Sequence, residues 1–423
     1  MTTRTLAASI ATVAAVAVLA ACSSGAGGTD ATGDSTSDAA TSAAATSAAA
    51  EPVTITFQEQ FSDGESAQIE AQLAAFEAAH PEITVKLVRD NDSSYYDKLV
   101  TQITAGRGPD VARVEPPKAA QYIASGWTVP LGDAVSADEY FPSTLDGLTK
   151  DGELHGVPQD LSALALYYRT DLVPQPPTTW DELKTTAAAL TSGDSYGIGL
   201  FGGWGAFEFY PWLWQSGADV LSEDGTTAVF NSPEAVSALQ LWVDLQAKGM
   251  PAGMATATED DLKARFVSGT LGMFTSGPWT IQSMKDAGID GKWAIAPLPA
   301  GAKPATVLGG MDLIVLKNSE HQEAAKTFVA WLMQDDVQKE WAGALGFIPV
   351  KSALYDDPTF KDDPYVSAFA AILADAKSRP TVPAAGDVDS ALGEAVQAAL
   401  SGAATPQAAL DAAVAKANEA LSK

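Results

Sequence analysis

Apolar residues recur along residues 53–114 with two alternating periods. Residues 53–57, 83–88 and 111–114 are short runs rich in Val, Ile and Thr, which is the pattern of buried strands. Between these runs, apolar residues recur every three or four positions, as they do on one face of an amphipathic helix. The alternation predicts an α/β fold in which the first three strands form a mainly parallel sheet. The helical stripes are Ile69, Leu73 and Phe76, then Tyr96, Leu99, Val100 and Ile103.

Five capping signals indicate where helices begin. A Ser or Thr followed three residues later by Glu or Gln, or followed directly by Pro, is typical of the first helical turn. The pairs are Ser62 with Glu65, Thr179 with Glu182, Ser232 with Pro233, Ser319 with Gln322, and Thr405 with Pro406. Further short strands are predicted over 197–201, 271–274, 293–299 and 307–316.

The stretch 151–169 combines a turn with a strand and is predicted to join two lobes. Asp151-Gly152 favours a chain reversal, and Pro158 restricts the backbone further on. Residues 162–168 are apolar enough to form a buried strand, whereas the polar residues 158–160 are expected to be exposed. We therefore expect a ligand site beside this crossing.

Length and charge narrow the functional class. The chain has 423 residues with 25 basic and 53 acidic side chains, a net charge of 25 − 53 = −28. That length exceeds a single core and predicts two domains. The negative charge argues against nucleic acid as a partner, because phosphates require basic surfaces. It is typical of a protein that stays soluble outside the cell.

The first residues have the features of a secretory signal. Arg4 is the only charge before an apolar run over residues 6–21, which fits a signal-peptide core and is short for a membrane span. The run ends Leu-Ala-Ala-Cys22, and Cys22 is the only cysteine. This ending resembles the bacterial lipobox, which implies a signal peptide over 1–21 and a lipid on Cys22. Residues 22–52 lack large apolar side chains and are predicted to form a disordered linker.

Motifs for catalysis are weak. Gly193, Ser195 and Gly197 fit the G-x-S-x-G pattern, but a predicted helix precedes the serine and a predicted strand follows it, the reverse of a hydrolase elbow. Of the three histidines, only His155 lies near the predicted ligand site, and we expect it to be structural. We expect no enzymatic activity, no cofactor and no metal site.

Aromatic residues are concentrated in one segment. Residues 201–214 contain seven aromatic side chains within fourteen positions. The helical end of this segment is expected to be core, whereas Trp204 and Phe207 lie among glycines and are candidates for exposure. Trp279 follows Gly-Pro at a predicted helix start, where its ring can project from the fold. A sugar offers an apolar face to such rings and hydroxyl groups to polar side chains, so these residues are candidate ligand contacts.

Eight short segments carry further motifs in a fixed order. They are Phe76-Glu-Ala-Ala-His-Pro-Glu-Ile-Thr-Val85, Ala105-Gly-Arg-Gly-Pro-Asp-Val111, residues 152–169, Pro177-Thr-Thr-Trp-Asp-Glu-Leu183, Asn231-Ser-Pro-Glu-Ala-Val236, residues 266–279, Gly309-Gly310 and Gly346-Phe-Ile-Pro349. The ordered set resembles the extracellular solute-binding proteins of ABC importers, family 1, which includes the maltose-binding proteins. The resemblance covers essentially the whole mature chain.

The resemblance implies a two-lobed α/β fold of the periplasmic-binding-protein type (Venus-flytrap, type II-like), with lobes joined by hinge crossings. The implied lobes are residues 53–160 plus 300–346 and residues 162–298 plus 350–423. The implied function is capture of a neutral di- or oligosaccharide, maltose- or trehalose-like, and its delivery to an ABC transporter permease by lobe closure. The implied state is a monomer tethered to the outer face of the cytoplasmic membrane, with no nucleic-acid partner.

The resemblance also implies a set of ligand contacts from both lobes. They are Glu59, Gln60, Asp63, Glu115, Asp160, Ser162, Trp204, Phe207, Trp279, Gly310 and Asp312. Maltose-binding proteins place charged or aromatic residues at several positions where this chain has Val114, Ser162 or Gly205, so maltose itself is not implied. Arg379, a late cation near the cleft, is expected to pair with surplus carboxylates or to contact ligand.

Two other functions fit parts of the sequence. A binding protein for a polyol phosphate would need clustered Arg or Lys in the cleft, and the motif segments show no such cluster. A secreted carbohydrate-active hydrolase would need two carboxylates, and acidic residues are plentiful. Binding without turnover separates the binding proteins from the hydrolase.

Overall fold

The computed structural model describes residues 51–61, 63–90, 94–141, 144–145, 147–203 and 205–423. In chain order its first half contains β1 (Val53–Glu59), α1 (Asp63–Ala79), β2 (Ile83–Arg89), α2 (Tyr95–Thr104), β3 (Val111–Val114), α3 (Pro116–Ala124), β4 (Thr149–Lys150), β5 (Glu153–Leu154), β6 (Gly156–Ala163), β7 (Ala165–Arg169), α4 (Trp180–Leu190), β8 (Tyr196–Gly199) and α5 (Tyr210–Gln215). The second half contains α6 (Pro233–Lys248), α7 (Glu259–Ser268), β9 (Leu271–Ser276), α8 (Ile281–Asp286), β10 (Trp293–Ala296), β11 (Thr306–Val315), α9 (Gln322–Leu332), α10 (Asp335–Leu345), α11 (Pro358–Lys361), α12 (Pro364–Ile372), β12 (Ala376–Ser378), α13 (Ala385–Leu400) and α14 (Pro406–Leu421). The predicted signal peptide, linker and lipidated Cys22 lie outside the described residues.

The strands form two main sheets. One has six strands in the order β12-β11-β3-β1-β2, with β6 also paired to β11, and the other has the order β10-β7-β9-β8. The three N-terminal strands are parallel as predicted, whereas β11 runs antiparallel to β3 and β6. In the second sheet only β8 and β9 pair in parallel. Both sheets therefore contain parallel and antiparallel strand pairs.

The chain passes from the first sheet to the second between β6 and β7. The sequence predicted one strand over 162–168, but the structure has two strands that meet at Leu164. The Thr306 hydroxyl donates to the Leu164 carbonyl oxygen at 2.7 Å, which ties the return crossing to the first one. A third crossing passes nearby, because Ile348 forms a bridge with Leu161. The two sheets are therefore linked by adjacent extended segments.

The prediction that residues 158–160 are exposed is wrong. All three lie in β6 and are buried, with Gln159 1% and Asp160 3% exposed. Their burial follows from pairing along β11 and from Arg113, whose guanidinium binds both polar side chains. A polar side chain can be buried where such a partner is available, and the local pattern did not reveal that partner.

Most capping predictions are confirmed. The side chains of Thr179, Ser232 and Thr405 each accept a backbone hydrogen bond at the start of α4, α6 and α14. The prediction for Ser319 is wrong, because α9 has His321 at its N-cap position and no side-chain cap. Ser319 instead donates to Asp110 Oδ1 at 2.5 Å, which anchors the loop after β11. Ser62 lies outside the described residues.

The largest side chains lie in the core. Trp212 and Trp214 on α5 are buried, as expected for the helical end of the aromatic segment. Trp212 contacts Trp242 of α6 edge to face, with ring centroids 6.2 Å apart. Among the described helices, none combines the length and apolarity needed to cross a membrane.

Candidate functional site

A small cavity lies where β6 and β11 approach the chain crossing. It is lined by Pro116, Thr144, Pro158, Asp160, Leu161, Leu308, Gly309, Gly310, Asp312, Ser378, Arg379 and Thr381. Three residues of the predicted site, Asp160, Gly310 and Asp312, therefore lie together in its wall. The space inside that water can occupy is about 30 Å³.

The backbone of β11 is shaped to expose polar groups at this wall. The pairing of β6 with β11 shifts register between Met311 and Asp312, which is a β-bulge and can re-aim a side chain. Gly310 has φ +132°, and a Cβ there would lie 2.1 Å from the Asp160 carbonyl oxygen. Only glycine fits this conformation and this close approach.

Asp312 is a buried carboxyl group in the cavity wall. Its side chain is 2% exposed, and its Oδ2 atom has no hydrogen-bond partner among the described residues. Burial raises the pKa of this carboxyl well above its usual value, and the nearby Asp160 raises it further. A buried oxygen without a partner is costly, so a ligand hydroxyl at this position would gain a strong hydrogen bond.

Asp160 belongs to a buried ion cluster built on Arg113. The Arg113 Nη2 atom lies 2.7 Å from Asp160 Oδ2 and 2.8 Å from Glu65 Oε1, while Nε donates to Gln159 Oε1 at 2.8 Å. The guanidinium also lies over the Phe61 ring at 4.4 Å. Burial raises the pKa of Asp160 to about 6, against the opposing attraction of Arg113.

Arg379 forms a second buried ion cluster beside the cavity. Its Nη2 atom is 2.8 Å from Glu115 Oε2, and its Nη1 atom is 4.0 Å from Asp389. The expectation that Arg379 pairs with carboxylates is therefore confirmed, and its place in the cavity wall also leaves it able to contact ligand. Burial opposes the charge, yet the two carboxylates keep the Arg379 pKa above its usual value.

An aromatic wall adjoins this second cluster. The Arg379 guanidinium lies 5.1 Å from the Phe207 ring centroid, and a Cβ on Gly309 would meet that ring at 3.1 Å. The Phe207 and Trp279 centroids are 6.4 Å apart at 46°. Both rings are half-buried and lie outside the cavity lining. They extend the site towards the second sheet.

The remaining predicted contacts are more scattered. Ser162 is buried with its Oγ facing Gly309, next to the cavity. Glu59 is fully buried, and its carboxylate accepts the Phe61 backbone N–H. Burial raises the Glu59 pKa to about 7. Glu59 and the half-buried Gln60 lie outside the cavity lining. The side chain of Asp63 and the whole of Trp204 lie outside the described residues.

Two residues at the site, Arg113 and Gln159, were not among the ligand contacts predicted from the sequence. Arg113 sits in the apolar run Val111–Val114, and a cation in a buried strand demands carboxylate partners, which was the available signal. Gln159 occupies the bulge, which the sequence does not indicate. The motif segments show no cluster of Arg or Lys, and the structure places two single cations, Arg113 and Arg379, buried at the site. Each of them faces two carboxylates, so neither offers an uncompensated positive charge.

His155 has the structural role expected of it. Its Nδ1 atom lies 2.9 Å from Thr128 Oγ1, a contact that joins the β5–β6 turn to the loop after α3. Burial lowers its pKa, which favours the neutral ring.

Comparison with known proteins identifies the family. Residues 71–368 match the family described as bacterial extracellular solute-binding proteins. The maltotriose-binding protein of Pyrococcus abyssi is 27% identical over 315 residues, covering 72% of this chain and 68% of that protein. The maltooligosaccharide ABC transporter solute-binding lipoprotein of Streptococcus pneumoniae is 26% identical over 296 residues, covering 64% and 67%.

A solved structure extends this likeness to the fold. The maltose-bound MalE3 protein of T. maritima is 30% identical, with a TM-score of 0.79 over 87% of this chain and 99% of that chain. The predicted two-lobed α/β fold is thereby confirmed. This chain belongs to the family of bacterial extracellular solute-binding proteins.

Proposed function

We propose that this protein captures a neutral di- or oligosaccharide, maltose- or trehalose-like, and delivers it to an ABC transporter permease. The observation that carries the proposal is the cavity wall itself, where the unpartnered Asp312 oxygen and the Gly309-Gly310 backbone lie beside the Phe207–Trp279 pair. A sugar hydroxyl can donate to the unpartnered oxygen of the Asp312 carboxyl group, and the apolar face of the sugar can stack on the rings. The names of the maltotriose- and maltooligosaccharide-binding relatives support the same ligand class.

The charges of the site favour a neutral ligand. Arg113 is compensated by Glu65 and Asp160, and Arg379 is compensated by Glu115 and Asp389. An anionic polyol phosphate would have to displace one of these partners, whereas a hydroxyl can bind without changing the balance. The arginines therefore act as fixed supports for the carboxylates.

Ligand entry is proposed to require separation of the cavity walls. The 30 Å³ that water can occupy is far below the roughly 300–1,000 Å³ of small-molecule pockets. The proposed lobes are residues 53–160 plus 300–346 and residues 162–298 plus 350–423, and the adjacent crossings at Leu164 and Ile348 would serve as hinges. Ligand would stabilise the closed form through its contacts with both lobes.

The membrane anchor is part of the proposal. The sequence Leu-Ala-Ala-Cys22 supports cleavage before Cys22 and lipid attachment, and one relative is named a lipoprotein. A lipid on Cys22 would hold a monomer at the outer face of the cytoplasmic membrane, within reach of its permease. A Cys22→Ser variant expressed in a bacterial host should move from the membrane fraction to the soluble fraction. Equal membrane retention of both forms would contradict the anchor.

A thermal-shift panel tests the ligand class. Purified protein is scanned with maltose, maltotriose, trehalose, xylo-oligosaccharides and glycerol phosphate, and each sugar is analysed for cleavage products after incubation. A sugar that raises the melting temperature without turnover supports the proposal. Turnover would instead establish a carbohydrate-active hydrolase, and a shift with glycerol phosphate alone would establish a phosphate-binding protein.

A further inference from the structure

Behind the aromatic wall lies a buried carboxylate that the ligand site itself does not use. Glu259, the first residue of α7, is 7% exposed. Its Oε1 atom accepts hydrogen bonds from three side chains at the end of β9 and just after it: the Ser276 hydroxyl, Trp279 Nε1 at 2.8 Å, and Thr280 Oγ1 at 3.2 Å. A single carboxylate oxygen thus accepts hydrogen bonds from the half-buried indole and from two neighbouring hydroxyl groups.

The same indole is restrained on its face by the backbone. A Cβ on Gly277 would lie 2.1 Å from Cζ3 and 2.3 Å from Cη2 of Trp279, so the ring lies flat against this glycine. The Tyr167 hydroxyl donates to the Gly277 carbonyl oxygen at 2.7 Å and fixes the glycine in turn. The contact with Gly277 restrains the face of the ring, and the hydrogen bond from Nε1 to Glu259 restrains its rotation in that plane.

We propose that Glu259 is a positioning residue that holds the Trp279 indole in the orientation that continues the Phe207 wall. A hydrogen bond to an ionised carboxylate is stronger than one between neutral groups, and burial protects it from competing water. Lys263, whose Nζ atom is 3.7 Å from Glu259 Oε2, supports the charge on the opposite oxygen. The consequence for ligand binding rests on the proposed function, whereas the orientation of the ring does not.

The test compares Glu259→Gln, which keeps an acceptor oxygen, with Glu259→Met, which has similar size and no such acceptor. Each is made in the parent and in a Trp279→Phe background, where the indole donor is absent. Asp260→Asn is the matched control, because Asp260 lies next to Glu259, pairs with Lys263 at 2.6 Å, and is 86% exposed. Melting temperatures establish which variants are folded.

The first readout needs no ligand. The indole N–H signals of the ten tryptophans are recorded by nuclear magnetic resonance, and the Trp279 signal is identified by its loss in Trp279→Phe. We expect slow hydrogen exchange of this signal in the parent, Glu259→Gln and Asp260→Asn proteins, and fast exchange with a shifted resonance in Glu259→Met. An unchanged Trp279 signal in folded Glu259→Met would overturn the proposal. If Glu259→Met does not fold, fast exchange in Glu259→Asp, which withdraws the oxygen by one methylene, is the expected result, and slow exchange overturns it.

The second readout is the affinity for maltotriose, measured by calorimetry. We expect Glu259→Met to weaken binding about tenfold in the parent and less than about twofold in the Trp279→Phe background, because the two residues act as one unit. Equal losses in both backgrounds would mean that Glu259 acts on the fold in general. If the parent binds none of the sugars, the proposed function fails, and the indole signals still decide the orientation of the ring.

Discussion

Replacement of Asp312 by asparagine should change the way in which the stability of the protein depends on pH. The unfolded carboxyl ionises near its ordinary pKa of 3.8, whereas burial keeps the folded carboxyl protonated to a higher pH. Raising the pH therefore removes a proton from the unfolded state only and favours unfolding. This contribution to stability is complete below the unfolded pKa and is lost as pH rises towards the folded pKa.

The magnitude follows from the linkage between proton binding and folding. Each pH unit between the unfolded and the folded pKa lowers the stability of the parent by about 1.4 kcal/mol relative to the asparagine variant. For a chain of this size, the entropy of unfolding is about 0.8 kcal/mol per kelvin. The melting temperature of Asp312→Asn should therefore rise relative to the parent by about 2 °C for each pH unit between the two pKa values.

Differential scanning calorimetry of the two ligand-free proteins at several pH values measures this difference. The contributions of titrating groups common to both proteins cancel to first order in the difference between their melting temperatures. Asp362→Asn, at an exposed position, is a control that makes the same chemical change without burial. The control should show no drift with pH. The melting temperature of Asp312→Asn minus that of the parent should increase with pH. If this difference stays constant or falls as pH rises, the view that Asp312 is buried and protonated is refuted.

Three further substitutions probe the site. Gly310→Ala should destabilise the protein by about 3 kcal/mol, because its Cβ would meet the Asp160 carbonyl oxygen, and an unchanged denaturation midpoint would contradict the close approach. Arg379→Met should lower the free energy of unfolding in urea by about 2 kcal/mol, because it leaves the Glu115 carboxylate without its partner; Glu115 is 39% exposed, which keeps the cost below that of a fully buried pair. Trp279→Ala should weaken sugar binding in calorimetry far more than it lowers the melting temperature, whereas comparable losses in both would identify Trp279 as a core residue.

The architecture was accessible from the sequence because its signals are local. The Thr179, Ser232 and Thr405 caps act within one helical turn, so the residues that make them are adjacent in sequence. The cap predicted at Ser319 was wrong because the partner of the Ser319 hydroxyl is distant in sequence. Its hydroxyl binds Asp110, which lies 209 positions away, and this distant partner outcompetes the local cap.

The candidate site was only partly accessible from the sequence. Asp160, Gly310 and Asp312 were predicted through the family resemblance and lie in one cavity wall. The partners that make this wall polar come from distant segments: Arg113 is 47 positions from Asp160. Such pairs form only when particular strands become neighbours in the sheet, and a single sequence does not reveal the strand order.

The central claim is that the protein binds a neutral carbohydrate and leaves it intact. Isothermal titration calorimetry of the purified protein against maltotriose, trehalose and glycerol phosphate, with analysis of the recovered ligand, tests it most directly. The account predicts saturable heat with one of the sugars, intact sugar after the titration, and no heat with glycerol phosphate. Saturable binding of glycerol phosphate without binding of any sugar, or recovery of cleaved sugar, would contradict it.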